Sequence, residues 1–323
     1  MPAEPSPGEL DRIAEPDQIA AAWRKLELAA LKLRRLGAAE RAARLGDWCR
    51  GWLDPADSYR REALERLPAA TGFGAADIAR ALDAAFEVID RRAILAVLER
   101  ELGRSDALER WAPDATGALT RACPPERMVA VMAGNVPTAG LPVIVASLAV
   151  GAPLLVRCSR REPHFVPLVA ASLAERLGWA DAVVPAWWPH GSAAERAALA
   201  AADAAVLFGA DQTIAQLRQA LGAKVRLLPY GHRFSLAALD WNRATDFPGG
   251  APGLADAVAH DVAAFERAGC LSPLAIYVEG DAAACAAELA GALARLDAPL
   301  PGPGADAAAA GDVQVTGAAQ APG

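Results

Sequence analysis

Short apolar runs alternate with amphipathic stretches through the middle of the chain. Five runs rich in Val, Leu and Ala are predicted to be strands, at residues 127–133, 153–157, 182–186, 204–208 and 225–228, and the first of them is predicted to be buried. Helical periodicity follows each of the first four runs, over about 138–150, 163–177, 192–201 and 211–221. This alternation with short loops predicts an α/β fold, in which a parallel sheet carries helices on both faces.

The flanking regions have a different character. Residues 16–44, 59–67, 75–90 and 90–103 show helical spacing of Ala and Leu, so the first third is predicted to be helical. Beyond the sheet, the pattern predicts a strand at 234–240 that leaves it, a helix at 253–268, a strand at 274–278 and a helix at 282–296. The ends, 1–16 and 299–323, are predicted to be disordered because they have little apolar surface to bury.

Composition removes several classes of function. The 323 residues are 54% hydrophobic, enough for a sizeable core, and the net charge of −7 argues against a nucleic-acid partner. No uncharged apolar run is long enough for a membrane span, and the N-terminus lacks a signal-peptide core. Five cysteines in no CxxC or Cys/His spacing, with four scattered histidines, predict neither a disulfide framework nor a metal site. A cytoplasmic protein is therefore expected.

One cysteine lies in a distinctive setting. Cys270 stands between Gly269 and a Ser-Pro turn, after an amphipathic helix and before an apolar strand. A thiol on such a loop is placed to act as a nucleophile, and the adjacent glycine lets a reacting carbonyl approach the backbone. The competing interpretation is a buried, inert thiol, because an isolated cysteine often packs as a small hydrophobe. The local sequence leaves both interpretations open.

Three short phrases together resemble the aldehyde dehydrogenase superfamily. They are Gly134-Asn135-Val136-Pro137, Arg157-Cys158-Ser159 and Gly269-Cys270-Leu271-Ser272-Pro273, and with His260-Asp261 they look most like acyl-CoA reductases of the LuxC type. The resemblance covers about residues 70–295. It implies an aldehyde-dehydrogenase-like fold, with a Rossmann-type sheet preceded by a helical region and followed by a truncated catalytic domain. The implied division is 17–233 for the helical layer plus dinucleotide-binding domain and 234–298 for a partial catalytic domain.

The resemblance assigns the chemistry residue by residue. Cys270 matches the catalytic thiolate, which attacks an acyl-CoA or acyl-protein thioester and forms an acyl-enzyme. Asn135 matches the amide that holds the developing oxyanion together with the N–H of the nucleophile. A structural alternative for Asn135 is a turn residue that closes a strand.

The same comparison predicts the cofactor. Arg157 and Ser159 match residues that bind the adenosine ribose, and Arg160 replaces a glutamate that holds the ribose hydroxyls in NAD-preferring relatives. Arginine pairs with a 2′-phosphate, so NADP is expected, the alternative being a solvated basic loop. Gly209 matches the helix start that receives the pyrophosphate, although Asp211 beside it is unfavourable near phosphate.

Two departures shape the expected function. The segment 228–233 lacks the carboxylate that activates water in aldehyde-oxidising relatives, which favours NADPH-dependent reduction of a thioester to an aldehyde. The chain after Cys270 is short for the family, so the expectations include a minimal relative, a truncated one, or a homo-oligomer or partner chain that completes the site. The alternative function is a non-catalytic nucleotide-binding or partner subunit.

Overall fold

The computed structural model describes residues 14–296 except positions 105, 135, 223, 232, 233, 268, 270 and 271. Asn135 and Cys270, the two predicted catalytic residues, therefore lie outside the described residues, as do nearly all of the predicted disordered ends. The chain divides into two compact units, residues 1–232 and 233–323, and each is described by itself.

The helical first third is confirmed. The predicted helical region 16–44 is divided at Leu36-Gly37, where the sequence marks a break or a cap, and Gly37 is the N-cap of the second helix. A small antiparallel hairpin that was not predicted follows the helices, with strands β1 (Ala112–Pro113) and β2 (Leu119–Thr120). The helices are α1 (Pro16–Arg34), α2 (Ala38–Trp52), α3 (Ser58–Thr71), α4 (Ala75–Glu87) and α5 (Arg91–Leu102).

The five predicted strands form one parallel sheet. They are β3 (Met128–Val131), β4 (Leu154–Arg157), β5 (Val183–Ala186), β6 (Ala204–Phe208) and β7 (Arg226–Tyr230). Their order across the sheet is β5-β4-β3-β6-β7, so the chain builds outward from β3 in one direction and then resumes at β6 on the other side. Ligands of such sheets bind beyond the carboxyl ends of the strands at this reversal, which here lies between β3 and β6.

Helices cover both faces of the sheet. The connecting helices are α6 (Leu141–Val150, after a 3-10 turn at Pro137–Gly140), α7 (Phe165–Leu177), α8 (Ala193–Ala200) and α9 (Asp211–Ala220). Side chains alternate along each strand: Ala130 packs into the core beneath α6 and α7, whereas Val129 and Val131 pack beneath α8 and α9. The N-terminal helices complete both cores, since α2 adds Trp48 and Trp52 to the first and α1 adds Trp23 to the second.

The second unit is smaller and has a simpler core. It holds a two-stranded parallel sheet of β8 (Ser235–Asp240) and β9 (Pro273–Glu279), with α10 (Gly250–Ala263), α11 (Ala282–Arg295) and 3-10 turns at Trp241–Asp246 and Ala264–Arg267. The helix predicted at 253–268 thus starts earlier and tightens into a 3-10 turn at its end. Small side chains allow α10 and α11 to pack closely, with Ala255, Ala259 and Ala292 buried between them.

A single hydroxyl group ties α2 to α7 inside the larger core. Ser172 Oγ accepts hydrogen bonds from Trp48 Nε1 at 3.0 Å and from Trp52 Nε1 at 3.2 Å, and it donates to Val169 O at 2.9 Å. All three side chains are buried. Because no water reaches these indole groups, both depend on the hydroxyl oxygen for a partner.

Ser172→Ala is therefore expected to lower the free energy of unfolding by about 2–4 kcal/mol, because it leaves two buried indole N–H groups without an acceptor. Urea unfolding followed by circular dichroism measures the change. Ser58→Ala, at the exposed start of α3, is the matched control and is expected to stay within about 0.5 kcal/mol of the parent. Equal midpoints for the two variants would show that the indole bonds contribute nothing.

Candidate functional site

The loops that follow β3, β4 and β5 meet at the carboxyl edge of the sheet. Met132 N donates to Arg157 O at 3.0 Å, and Cys158 N donates to Ala186 O at 2.9 Å, so the three strands stay in register to their ends. A side chain at Gly134 would lie only 2.8 Å from Ser159 Cβ and 2.9 Å from Arg161 Cβ. Glycine is therefore required there, because the loop that leads to Asn135 lies directly against the predicted ribose-binding loop.

The opposite side of the strand reversal offers an open helix end. Gly209 N donates to Tyr230 O at 3.3 Å, and a Cβ at Gly209 would meet nothing closer than Thr213 at 3.7 Å. The N-cap of α9 is Ala210, whose side chain cannot accept from the first-turn N–H groups. These groups, together with the helix dipole, favour an anion, as the sequence predicted for a pyrophosphate.

A carboxylate from α9 lies beside the end of β7. A Cβ at Gly231 would lie 3.4 Å from Asp211 Cγ, and closer still to Oδ1, so the Asp211 carboxylate occupies the space that a side chain at 231 would need. The sequence segment after β7 carries no carboxylate of its own. Only the pairing of β6 with β7 brings Asp211 to it, which is why the pattern along the chain did not reveal the neighbour.

The predicted ribose-binding residue Arg157 is half-buried and already engaged. Its Nε donates to Trp188 O at 3.0 Å. Burial lowers the pKa of Arg157, and the charge of Glu195 acts in the opposite direction. Glu195 is itself buried, accepts from Gly191 N at 2.7 Å and lies 3.0 Å from His190 Nδ1. Arg157 thus fixes the loop after β5, a structural role that the sequence did not reveal.

Arg160, by contrast, has no hydrogen-bond partner for its guanidinium N–H groups among the residues that the structure describes. Its guanidinium lies over the Trp187 ring, with Cζ 4.6 Å from the ring centroid, and it makes no hydrogen bond or ion pair with any residue that the structure describes. Ser159 Oγ accepts from Arg161 N at 3.2 Å and thereby shapes the turn that presents both arginines. Arg160 and Arg161 are exposed, so this loop carries two accessible positive charges.

The same loop ends in a buried carboxylate. Glu162 Oε1 accepts from His164 N at 2.8 Å and from Phe165 N at 2.7 Å at the start of α7. Burial raises the pKa of Glu162 to about 7, while the two backbone hydrogen bonds act against this rise. A raised pKa means that this carboxyl group takes up a proton more readily than an exposed glutamate does, a property that the sequence analysis did not single out.

Because the native pKa of Glu162 lies above its ordinary value of 4.5, the folded state binds more protons than the unfolded chain between pH 4.5 and about 7. Stability should therefore fall as pH rises through this window, by about 3 kcal/mol for the full effect. Glu162→Gln keeps an acceptor oxygen but cannot ionise, and it is expected to remove this part of the loss in urea unfolding from pH 5 to 8. Asp90→Asn, at the exposed N-cap of α5, controls for replacing a charged cap. An unchanged pH slope in Glu162→Gln would contradict the assignment.

The loop that carries Cys270 is held on both sides of the cysteine. Ser272 N donates to Gly269 O at 3.1 Å, and the buried Ser272 Oγ donates to Ala264 O at 3.0 Å. A Cβ at Gly269 would lie 2.8 Å from Ser272 Oγ and 3.3 Å from the Phe265 ring. Gly269 and Ser272, the described residues on either side, are thus held close together, and a side chain at 269 would collide with Ser272. His260, also in the resemblance, is exposed on α10, where its Nδ1 bonds Asp256 O at 2.8 Å.

The remaining cysteines differ sharply in accessibility. Burial raises the pKa of Cys49 to about 12, and it also raises the pKa values of Cys158 and Cys285. Cys123 is exposed, and it provides a reference thiol for reactivity measurements. Among the described residues no group of His, Cys, Asp or Glu side chains could hold a metal ion, and no described helix is long and apolar enough to cross a membrane.

Comparison with known proteins identifies the family. The sequence model described as acyl-CoA reductase (LuxC) matches residues 45–316, which is most of the chain and includes every phrase of the resemblance. The chain belongs to the LuxC acyl-CoA reductase family. Its fold is that of the aldehyde dehydrogenases: a NAD-dependent benzaldehyde dehydrogenase from Corynebacterium glutamicum superposes with a TM-score of 0.65 at 16% identity, over 87% of this chain and 59% of that one.

Curated relatives in this LuxC group share a name. A long-chain acyl-protein thioester reductase from Vibrio harveyi is 26% identical over 196 residues, which are 59% of this chain and 40% of the relative. The protein of the same name from Photobacterium phosphoreum is 25% identical over 196 residues, 59% of this chain and 39% of the relative. The matched part of the present chain thus spans about two fifths of the length of these relatives.

Proposed function

We propose that this LuxC family member reduces an acyl thioester, carried by coenzyme A or by a protein, to an aldehyde with NADPH. The observation that carries the proposal is the family match over residues 45–316, which includes the turn around Cys270 and the glycine loop before Asn135. The curated relatives named long-chain acyl-protein thioester reductases support the substrate class.

Cys270 is the proposed acyl acceptor. Its thiolate attacks the thioester carbonyl, so that a new carbon–sulfur bond to Cys270 forms while the bond to the departing thiol breaks and the electron pair leaves with that thiolate. The turn closed by Ser272 and Gly269 supports this role, because it holds the backbone on both sides of the nucleophile. Glycine at 269 also keeps the approach to the backbone free of a side chain.

Asn135 is the proposed oxyanion donor, together with the backbone N–H of Cys270. A single such donor is typically worth about 3 kcal/mol of activation free energy. The glycine before Asn135, packed closely against the loop after β4, supports the assignment because it completes the family phrase Gly134-Asn135-Val136-Pro137. Asn135→Ala is accordingly expected to lower kcat about a hundredfold.

The residues at the strand reversal suit a dinucleotide. The open N-terminus of α9 beside Gly209 supplies N–H groups for a pyrophosphate, and exposed Arg160 and Arg161 supply charge at the end of β4 for a 2′-phosphate. Arg157, bonded to Trp188 O, helps to hold the neighbouring loop rather than the phosphate. The nicotinamide cofactor, when bound, supplies the hydride that makes the overall reaction a reduction.

The end of β7 favours retention of the acyl group over hydrolysis. The segment 228–233 matches the place of the water-activating glutamate of aldehyde-oxidising relatives and carries no carboxylate of its own, and the Tyr230 ring within it stacks on Phe208 at 4.7 Å with the planes 13° apart. The Asp211 carboxylate beside Gly231 comes from the start of α9, a different position from that glutamate. The absence of the glutamate from the segment supports a reductase in which the acyl-enzyme awaits hydride rather than water.

The test combines turnover and thiol labelling. The protein is expected to oxidise NADPH in the presence of an acyl-CoA of suitable chain length, and Cys270→Ala should abolish this rate because it removes the proposed acyl acceptor. Cys123→Ala is the matched control and should retain full activity. In the parent protein, iodoacetamide should label Cys270 faster than Cys123, with an acyl-CoA protecting Cys270.

The alternative, a non-catalytic nucleotide-binding or partner subunit, makes the opposite prediction. It would give NADPH binding without turnover, and a Cys270 that reacts no faster than Cys123. Acyl transfer from the thioester to Cys270, detected by mass spectrometry of the intact protein, would exclude this alternative.

A further inference from the structure

We propose that Trp187 is a specificity-determining residue for the phosphorylated cofactor, because it holds Arg160 in position to bind the 2′-phosphate of NADPH. The inference rests on the proposed function, since it concerns the cofactor site of the same enzyme. It adds a residue from the loop after β5 to the residues of the proposed cofactor site.

The first support is the contact itself. Arg160 Cζ lies 4.6 Å from the Trp187 ring centroid, within the range of a cation–π interaction. The ring face attracts the guanidinium charge, and the planar guanidinium has a fork of N–H donors that can bind a phosphate in a bidentate manner. The indole therefore restrains a long side chain without using the donors that the phosphate needs.

The second support is that the platform is fixed. Trp187 O accepts from Ala14 N at 2.8 Å, and Trp188 O accepts from Arg157 Nε at 3.0 Å, so both tryptophans have anchored backbones. Glu195 steadies the next turn by accepting from Gly191 N at 2.7 Å. Arg157 and Glu195 thus act on the loop that carries the platform, which gives these buried charges a role.

The third support is position and charge. β4 is the second strand of the sheet counted from β3, and in dinucleotide folds the residue at the end of that strand meets the ribose 2′ position. Arg160 follows this end, and within the described part of the chain it has no carboxylate partner. Glu162, the nearest acidic residue in the loop, is buried and accepts from two backbone N–H groups of α7.

The experiment measures binding rather than turnover. Isothermal titration calorimetry of the full-length protein compares 2′,5′-ADP, which carries the 2′-phosphate, with 5′-AMP, which does not. Trp187→Leu is expected to weaken the binding of 2′,5′-ADP about two- to fivefold and to leave the affinity for 5′-AMP unchanged, since only the restraint on Arg160 is lost. Arg160→Met should weaken 2′,5′-ADP about tenfold or more, because the charged hydrogen bonds themselves are removed.

A double-mutant cycle separates this role from a merely structural one. In the Arg160→Met background, Trp187→Leu should not weaken the binding of 2′,5′-ADP any further. With Arg160 present, Trp187→Phe should retain much of the parent's preference for 2′,5′-ADP over 5′-AMP that Trp187→Leu loses. Trp111→Leu is the matched control, since Arg121 lies over Trp111 at 5.4 Å in the separate β1–β2 hairpin region. This variant should change the affinity for neither nucleotide.

Three outcomes would overturn the inference. They are an unchanged affinity of Trp187→Leu for 2′,5′-ADP, an equal loss for both ligands, and a full additional loss in the Arg160→Met background. If the parent binds 5′-AMP but not 2′,5′-ADP, both the inference and the choice of NADPH fail. If the predicted coupling is measured but no acyl-CoA is reduced, the inference stands and the proposed reductase activity fails.

Discussion

The fold depends on burying a short parallel sheet on both faces. Short strands such as β3 carry apolar side chains on both faces and do not alternate between apolar and polar residues. Helices must therefore cover each face for the sheet to be stable in water. The crossover helices α6 to α9 cover much of it, and α1 and α2 complete the cover from the other end of the sequence. Arg41 links these layers: its buried guanidinium donates to Leu33 O of α1 at 3.3 Å and to Ala149 O of α6 at 2.9 Å.

The same constraint creates the site. Once the strands are ordered β5-β4-β3-β6-β7, the loops after β3 and β6 diverge to opposite faces and leave an opening at their carboxyl ends. Gly134 lies on one side of the opening against Ser159, and Gly209 lies on the other before the uncapped α9. Chemistry at this edge is carried by loops, while the buried strands hold the loops at fixed separations.

Charged side chains at this edge fall into two groups. Arg157, Glu162 and Glu195 are partly or fully buried, and their hydrogen bonds hold backbone groups of the surrounding loops. Arg160 and Arg161 remain accessible, and no described carboxylate neutralises them. A buried charge that lacked partners would cost several kcal/mol, so the first group is explained by the loop geometry that it maintains. The second group is the accessible positive charge at this edge of the sheet.

The sequence by itself determined the elements and the family. Apolar runs bounded by glycine and polar residues identified all five strands of the sheet to within a few residues. Burial on both faces explains the continuous apolar pattern of β3, β4 and β6, whereas the edge strand β7 is largely exposed. The phrases around Asn135 and Cys270 identified the LuxC resemblance, because reactive residues occupy short loops with restricted neighbours. Their proposed roles remain predictions, since both residues lie outside the described part of the chain.

Tertiary structure alone decided which residues meet. The stacking of Arg160 on Trp187, the place of Asp211 beside Gly231 and the bond from Arg157 to Trp188 O each join separate loops, and strand pairing brings them together. Periodicity indicates which side chains of a segment are buried, but it does not specify which strands pair with one another. The sequence predicted cofactor contacts for both Arg157 and Arg160, whereas packing engages Arg157 Nε with the backbone of the loop after β5 and leaves Arg160 exposed over the Trp187 ring.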